Sequence, residues 1–177
     1  GKEPTIWCPF HETALAQAEV EDLNRKTKLN YIEFGDEKKV LIATTRPEFL
    51  GACVAVFVNP NDKKNKDLIG KKLLVPVFDY KVEVFGDESV DPDFGTGVLM
   101  VCTFGDNADI EKWKKYNLDL RMIINEKGIL NENAGKFKGL SLGDAREKIL
   151  QELKSLKRLK KQEVIEQTVG SCWRCSI

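Results

Sequence analysis

Two rhythms of apolar residues run along this chain. Cys53-Val54-Ala55-Val56-Phe57-Val58 and the stretch from Val98 to Phe104 are nearly continuous apolar runs rich in β-branched residues. Runs of that length and composition predict strands covered on both faces. Leu29 to Phe34 alternates apolar and polar positions, Gly35-Asp36-Glu37-Lys38 supplies a turn, and Val40 to Thr44 returns. That order predicts an antiparallel hairpin. Leu73 to Val77 and Lys81 to Phe85 read as two short strands around Phe78-Asp79-Tyr80. Leu120 to Asn125 reads as a strand before the turn Glu126-Lys127-Gly128, and Glu163 to Val169 as the last strand. Helical spacing is clearest after Ser141, where Leu142, Ala145, Ile149, Leu153 and Leu156 form one stripe and Asp144 stands at the third helical position. Ser141 is therefore expected to cap a core-facing helix. A second helix is expected after Phe104, with Asp106 at its cap and Ile110 and Trp113 on its apolar face. Ala14 to Glu21 reads as irregular or extended, Val90-Asp91-Pro92-Asp93 as loop, and Asn61, Asp62 and Lys63 to Lys66 as a solvated charge run. The fold class is α/β, with a mixed sheet and helices at its periphery.

Composition narrows the function classes. At 177 residues the chain is expected to form one domain with a core of its own. It is 42% apolar and 32% charged, as in a globular protein. No apolar stretch reaches the roughly 18 residues of a membrane helix and no signal peptide opens the chain, so a cytoplasmic protein without membrane contact is expected. Lys plus Arg and Asp plus Glu balance at 28 each. A protein gripping a long duplex is usually more basic, so any nucleic-acid contact is local or shared with another domain. Five Cys without a secretory context suggest metal ligands and core thiols rather than disulfides.

Polar residues that could carry chemistry gather at strand ends. Thr44-Thr45-Arg46-Pro47-Glu48 follows one predicted strand and precedes another. Pro47 disfavours helix at Arg46, so the chain must turn there. Phe94-Gly95-Thr96-Gly97 precedes the second apolar run, and its glycines let backbone approach a ligand or another segment closely. Asp106 and Asp109 follow that run. The bland alternatives are a surface turn and a helix start that needs two carboxylates only for its cap. Cys8-x-x-His11 near one end and Cys172-x-x-Cys175 near the other are two metal-knuckle pairs that together would satisfy tetrahedral zinc. Against this stands a knuckle left incomplete by a chain that stops two residues after Cys175. The sequence has a single His, claimed by the knuckle, which argues against a Ser-His-Asp or Cys-His hydrolase. Cys53 and Cys102 lie inside apolar runs and read as inert core thiols. Carboxylates, threonine hydroxyls, backbone amides and Arg46 remain, a set that can bind an ester and position water but lacks an obvious nucleophile.

TTRPE followed by GACVAVFVNP resembles the threonine-rich segment of the editing domain inserted into class I aminoacyl-tRNA synthetases. Among the valine, isoleucine and leucine enzymes the likeness is to the valyl family of archaeal type. Isoleucine enzymes typically carry a Trp-Thr pattern after the proline. CPFHETALAQAEVE and SCWRC resemble the flanking knuckle segments of that family, although His at one ligand position departs from its usual pattern. The resemblance implies a barrel-like sheet core and a single inserted editing domain over residues 1–177, rooted at segments 6–16 and 169–177. It implies hydrolysis of threonyl-tRNA(Val), with the tRNA 3′ end, misacylated threonine and the ATP-using catalytic body of the parent ligase as partners. Asp109 would hold the substrate's α-amino group, with Asp106 beside it. Thr44, Thr45, Arg46, Glu48, Phe94, Gly95, Thr96, Met100, Cys102 and Thr103 would bind or wall the substrate. Zinc would sit only at the knuckle of Cys8, His11, Cys172 and Cys175, with no cofactor in the editing site. Met100 and Gly105 depart from the lysine and histidine of bacterial relatives. Two alternatives stay open: an insertion that binds the tRNA 3′ end without hydrolysis, and an editing domain of an isoleucyl or leucyl enzyme.

Overall fold

Burial of apolar side chains builds the first sheet of the computed structural model, which describes residues 23–103 and 107–169. Strand β1 (Leu23–Phe34) buries Leu29, Ile32 and Phe34. It pairs antiparallel on one side with β2 (Val40–Thr44), from Phe34 opposite Val40 to Asn30 opposite Thr44. On its other side it pairs antiparallel with β7 (Leu159–Val169), and the ladder reaches outward to Leu23 opposite Val169. The second sheet runs β4 (Lys72–Val75), β5 (Tyr80–Gly86), β3 (Cys53–Val58), β6 (Val98–Cys102) in spatial order. Its β3 and β5 are parallel and its other pairs antiparallel. The apolar run of β3 is buried because β3 is a central strand, with Ala55, Val56, Phe57 and Val58 all fully covered.

The two sheets enclose one main core. Ile32, Phe34 and Ile42 from the first sheet meet Val56, Val58, Val75, Val84 and Val98 from the second. Two seams join their edges. The Thr96 hydroxyl donates to the Leu41 carbonyl at 2.7 Å, tying β2 to the start of β6. The Gly35 amide donates to the Leu74 carbonyl at 2.8 Å, tying the β1–β2 turn to β4. Each seam is a strap and not a ladder, so the core is barrel-like while the sheets stay two among the described residues.

Helix α1 (Asn107–Tyr116) follows β6, and helix α2 (Leu142–Ser155) packs Ala145, Ile149, Leu150 and Leu153 into the core. The Ser141 hydroxyl accepts from the Asp144 amide at 3.2 Å, which is the expected cap. Leu156 lies past the helix end and is 48% exposed, so the stripe ends one turn earlier than its spacing suggests. Between β2 and β3 the chain makes a 3-10 turn, Pro47–Ala52, with proline at its start.

Three expectations need correction. Leu120 to Asn125 is not a strand: Leu120 and Met122 are exposed, and the only ladder contact is an isolated bridge from Ile124 to Leu130. Side chains hold that segment instead, with the Asn131 and Asn133 amides both donating to the Met122 carbonyl. Asp62 does not belong to a solvated run. It is 7% exposed, accepts from the Lys64 amide and the Asn65 side chain, and so folds the loop after β3. The strand expected through Val77 stops at Val75, because Val77 and Asp79 take left-handed backbone angles in the turn to β5. Among the described residues no helix is long and apolar enough to cross a membrane.

Candidate functional site

A cleft of about 430 Å³ opens where the end of β2, the 3-10 turn and the free edge of β6 come together. Topology creates it. Among the described residues both β2 and β6 are edge strands, and beyond the Thr96 strap they part. Six residues singled out in the sequence line it: Thr44, Thr45, Arg46, Phe94, Met100 and Cys102. Thr44 and Thr45 come from the strand end, and Arg46 lays its guanidinium 4.1 Å from the centroid of the Phe49 ring. Met100 and Cys102 are buried at the floor, and Phe94, 48% exposed, stands at the rim. A volume of that size falls within the roughly 300–1,000 Å³ of small-molecule sites.

The Thr44–Arg46 turn is held from several sides. The buried Asn30 side chain donates to the Thr44 carbonyl at 3.1 Å. The Arg146 guanidinium donates to the Thr45 carbonyl at 2.9 Å. The Thr44 hydroxyl accepts from the Arg46 amide at 3.0 Å, and the Arg46 carbonyl accepts from the Phe49 amide at 3.1 Å.

The remaining sequence candidates lie elsewhere. Glu48 faces Arg146 at 2.8 Å and does not line the cleft. Gly95, at φ +58°, passes so close to β2 that a Cβ would sit 2.7 Å from the Ala43 methyl, which explains the glycine. Thr96 is the strap described above. Thr103 is buried, and its hydroxyl accepts from the Arg121 amide at 2.8 Å. Asp109 falls within α1, but its side chain lies outside the described residues, as does all of Asp106 with its expected capping role. Lys112, one turn further along α1, lines the cleft. Cys8, His11, Cys172, Cys175 and the stretch from Ala14 to Glu21 also lie outside the described residues. Among the described residues no cluster of His, Cys, Asp and Glu could hold a metal.

Asp91, Ser89, Lys112 and Gln167 also line the cleft, and sequence reasoning missed them. The loop carrying Ser89 and Asp91 is anchored by Asp87. That buried carboxylate accepts from the Tyr116 hydroxyl at 2.6 Å, Lys115 at 3.0 Å and the Ser89 amide at 2.9 Å. The hydrogen bonds from Ser89 and Tyr116, with Lys115 beside them, hold Asp87 far below the usual carboxylate range. One ionised group thus joins the C-terminal turn of α1 to the cleft wall.

Among the described residues, Arg46 and Lys112 give the cleft two cations, against the Asp91 carboxylate. Such a site suits an anionic, partly apolar ligand with hydroxyls. Among the described residues no nucleophile is paired with an imidazole base, since the single His of the sequence, His11, lies outside them.

Over 172 residues the chain is 55% identical to the valine–tRNA ligase of Archaeoglobus fulgidus, a match that takes in 97% of this chain and 20% of that protein. It is 52% identical over 178 residues to the valine–tRNA ligase of Methanocaldococcus jannaschii, again with 20% of the relative covered. The chain therefore corresponds to a segment of archaeal valine–tRNA ligases and spans about a fifth of their length. No family model matches it. In three dimensions it is similar to part of a crystal structure of the agnB2 LeuRS of Agrobacterium radiobacter K84, a ternary complex with tRNA and LeuAMS. That likeness has a TM-score of 0.58 at 16% identity over 86% of this chain and 21% of the other, and at such identity it is one of fold.

Proposed function

We propose that this segment of a valine–tRNA ligase is its editing unit, which hydrolyses threonyl-tRNA(Val) at the ester joining threonine to the terminal adenosine. The observation that carries the reading is the cleft itself. It brings the Thr44-Thr45-Arg46 turn and the β6 residues Met100 and Cys102, far apart in sequence, to face one space large enough for a nucleoside with a small amino acid. A hydrophobic pocket cannot strongly reject an isostere that only adds a hydroxyl, and the valine enzyme facing threonine is the standard instance, so a second, hydrolytic site is needed.

Thr44, Thr45 and Arg46 would hold the adenosine and the ester. Phe94 would wall the amino-acid end, with Met100 and Cys102 beneath it. Asp109, on the helix that also supplies Lys112, would pair with the substrate's α-ammonium, and Asp106 would lie beside it. The attacking water would be oriented by Asp109 or by a free ribose hydroxyl of the tRNA. The water adds to the ester carbonyl, the ester C–O bond breaks, and the ribose oxygen leaves with a proton. The partners are then the tRNA(Val) 3′ end and the catalytic body of the parent ligase, and the reading assigns the whole to the cytoplasm.

In the same reading Cys8, His11, Cys172 and Cys175 would hold a structural zinc, a donor set suited to tetrahedral coordination. Supporting this, the β1–β7 ladder ends with Leu23 opposite Val169, so the first and last described residues stand side by side. That metal would close the root of the domain and take no part in hydrolysis.

The test is release of threonine from mischarged tRNA(Val) by the parent ligase with and without this segment. The editing reading expects release to vanish with the segment. Equal release from both forms would overturn it, and tight binding of the tRNA 3′ end without hydrolysis would make this a binding insertion.

A further inference from the structure

The turn Thr44-Thr45-Arg46 projects its side chains into the cleft from a strand end that, among the described residues, has a neighbouring strand, β1, on one side only, since β2 is an edge. Backbone carbonyls in such a place need partners from elsewhere. The Thr44 carbonyl finds one in Asn30, on the adjacent strand. The Arg46 carbonyl finds one in the Phe49 amide, inside the turn. The Thr45 carbonyl is reached by a residue a hundred positions away, Arg146 on α2. One guanidinium nitrogen of Arg146 donates both to that carbonyl, at 2.9 Å, and to Glu48 Oε1, at 2.8 Å. The pair is largely enclosed, with side-chain exposures of 25% and 16%. Next to Arg146, Ala145 is fully buried, so the guanidinium springs from a rigid point of the core.

We propose that Arg146 is a positioning residue for the cleft. By gripping the Thr45 carbonyl and the Glu48 carboxylate together, it fixes the turn on both sides of Arg46 and so sets where Thr45 and Arg46 stand against the substrate. Glu48 then serves the site by holding Arg146 and does not contact the ligand. The inference rests on the editing reading for its consequence and on the hydrogen bonds alone for its geometry.

Without the grip, the Thr45 carbonyl turns toward water and the turn gains freedom. A displacement of about 1 Å in groups that orient a reacting bond costs on the order of a hundredfold in rate. The test compares Arg146→Met, which keeps the alkyl stem, with Arg146→Lys, which restores a donor that can bridge both acceptors. Both are made in the parent ligase. Arg146→Met is expected to lower kcat for threonyl-tRNA(Val) deacylation by roughly one to two orders of magnitude, with KM changed less than threefold. Arg146→Lys is expected to recover most of the loss, and valine activation should be untouched in both. Amide hydrogen exchange at Arg46 to Phe49 should rise in Arg146→Met while exchange along α2 stays as in the wild type.

Unchanged kcat and unchanged exchange in Arg146→Met would overturn the proposal. A loss of exchange protection across α2 and the core, with no recovery by Arg146→Lys, would equally overturn it and make Arg146 a folding residue. If the wild-type ligase releases no threonine, the editing reading fails. The exchange experiment still decides the grip, because it needs no substrate.

Discussion

Thr96 is where a substrate role and a structural role part most cleanly. Its hydroxyl donates to the Leu41 carbonyl at 2.7 Å and accepts from the Val98 amide at 3.3 Å. The first bond is short and joins β2 of one sheet to the turn that leads into β6 of the other. The second is long and local. Thr96→Val keeps the shape and removes both. A neutral hydrogen bond contributes about 1 kcal/mol net, and a carbonyl left without a partner adds about 1–3 kcal/mol if water cannot reach it. Leu41 is half-buried, so part of that penalty is relieved. The expected loss is roughly 1–3 kcal/mol. For a domain of this size each kcal/mol corresponds to about 2–4 °C in Tm, so Thr96→Val should melt roughly 2–12 °C below the wild type. Thr96→Ser keeps the hydroxyl and should stay within about 2 °C of it. Circular dichroism melts of the three proteins decide the matter. A Val variant that melts with the wild type refutes the strap. Should that same variant also lose deacylation, Thr96 touches the substrate, as the family resemblance implies.

Asp87→Asn should lower stability at pH 7, because the folded carboxylate is held ionised by Tyr116, Ser89 and Lys115. A depressed folded pKa gives stability that is present above the unfolded value of 3.8 and is lost as pH falls further. Denaturant titrations should therefore show the gap between wild type and variant closing as pH drops below about 4, and a gap constant with pH would contradict the assignment. Asp109→Ala in the parent ligase should cut threonine release by two to three orders of magnitude, about 3–5 kcal/mol for a lost charge partner, while Asp106→Ala should allow valyl-tRNA(Val) to be cleaved. Equal losses toward threonine and valine in Asp106→Ala would show that Asp106 does not read the hydroxyl. Elemental analysis of protein purified without chelator should give about one zinc per chain, and Cys172→Ser should abolish it.

The fold was most legible where one physical signal acted alone. β2 and β3 have the expected bounds, because each is an apolar run ended by a residue that cannot continue it, Pro47 in one case and Pro60 in the other. The cap at Ser141 was legible for the same reason. Length misled where pairing, and not composition, decides the bound. β1 begins at Leu23, among polar residues, because β7 pairs with it that far out. The segment from Leu120 to Asn125 has strand composition but no strand beside it beyond one bridge, and asparagine side chains take the place of a ladder. Such side-chain straps leave no period in the sequence.

For the site, sequence identified residue types but not the direction each one faces. Thr44, Thr45 and Arg46 belong to one polar knot with Glu48, and nothing in its spacing says that the first three meet the cleft while the fourth turns back to α2. That separation follows from the 3-10 turn. Pro47 starts it, and the tighter winding carries Glu48 round toward the helix. Arg146 was invisible in sequence because its spacing marks it only as a polar position beside a core stripe. Its task appears once α2 is seen to pack on that turn. The cleft residues Ser89 and Asp91 were hidden in the same way, since a loop read as connecting chain becomes a wall only through Asp87 and its bond to Tyr116 at the end of α1. Two charged anchors, Arg146 on one side and Asp87 on the other, thus hold the walls of a space that neither one lines. A substitution at either anchor should change how the cleft holds its ligand without removing any group that touches it.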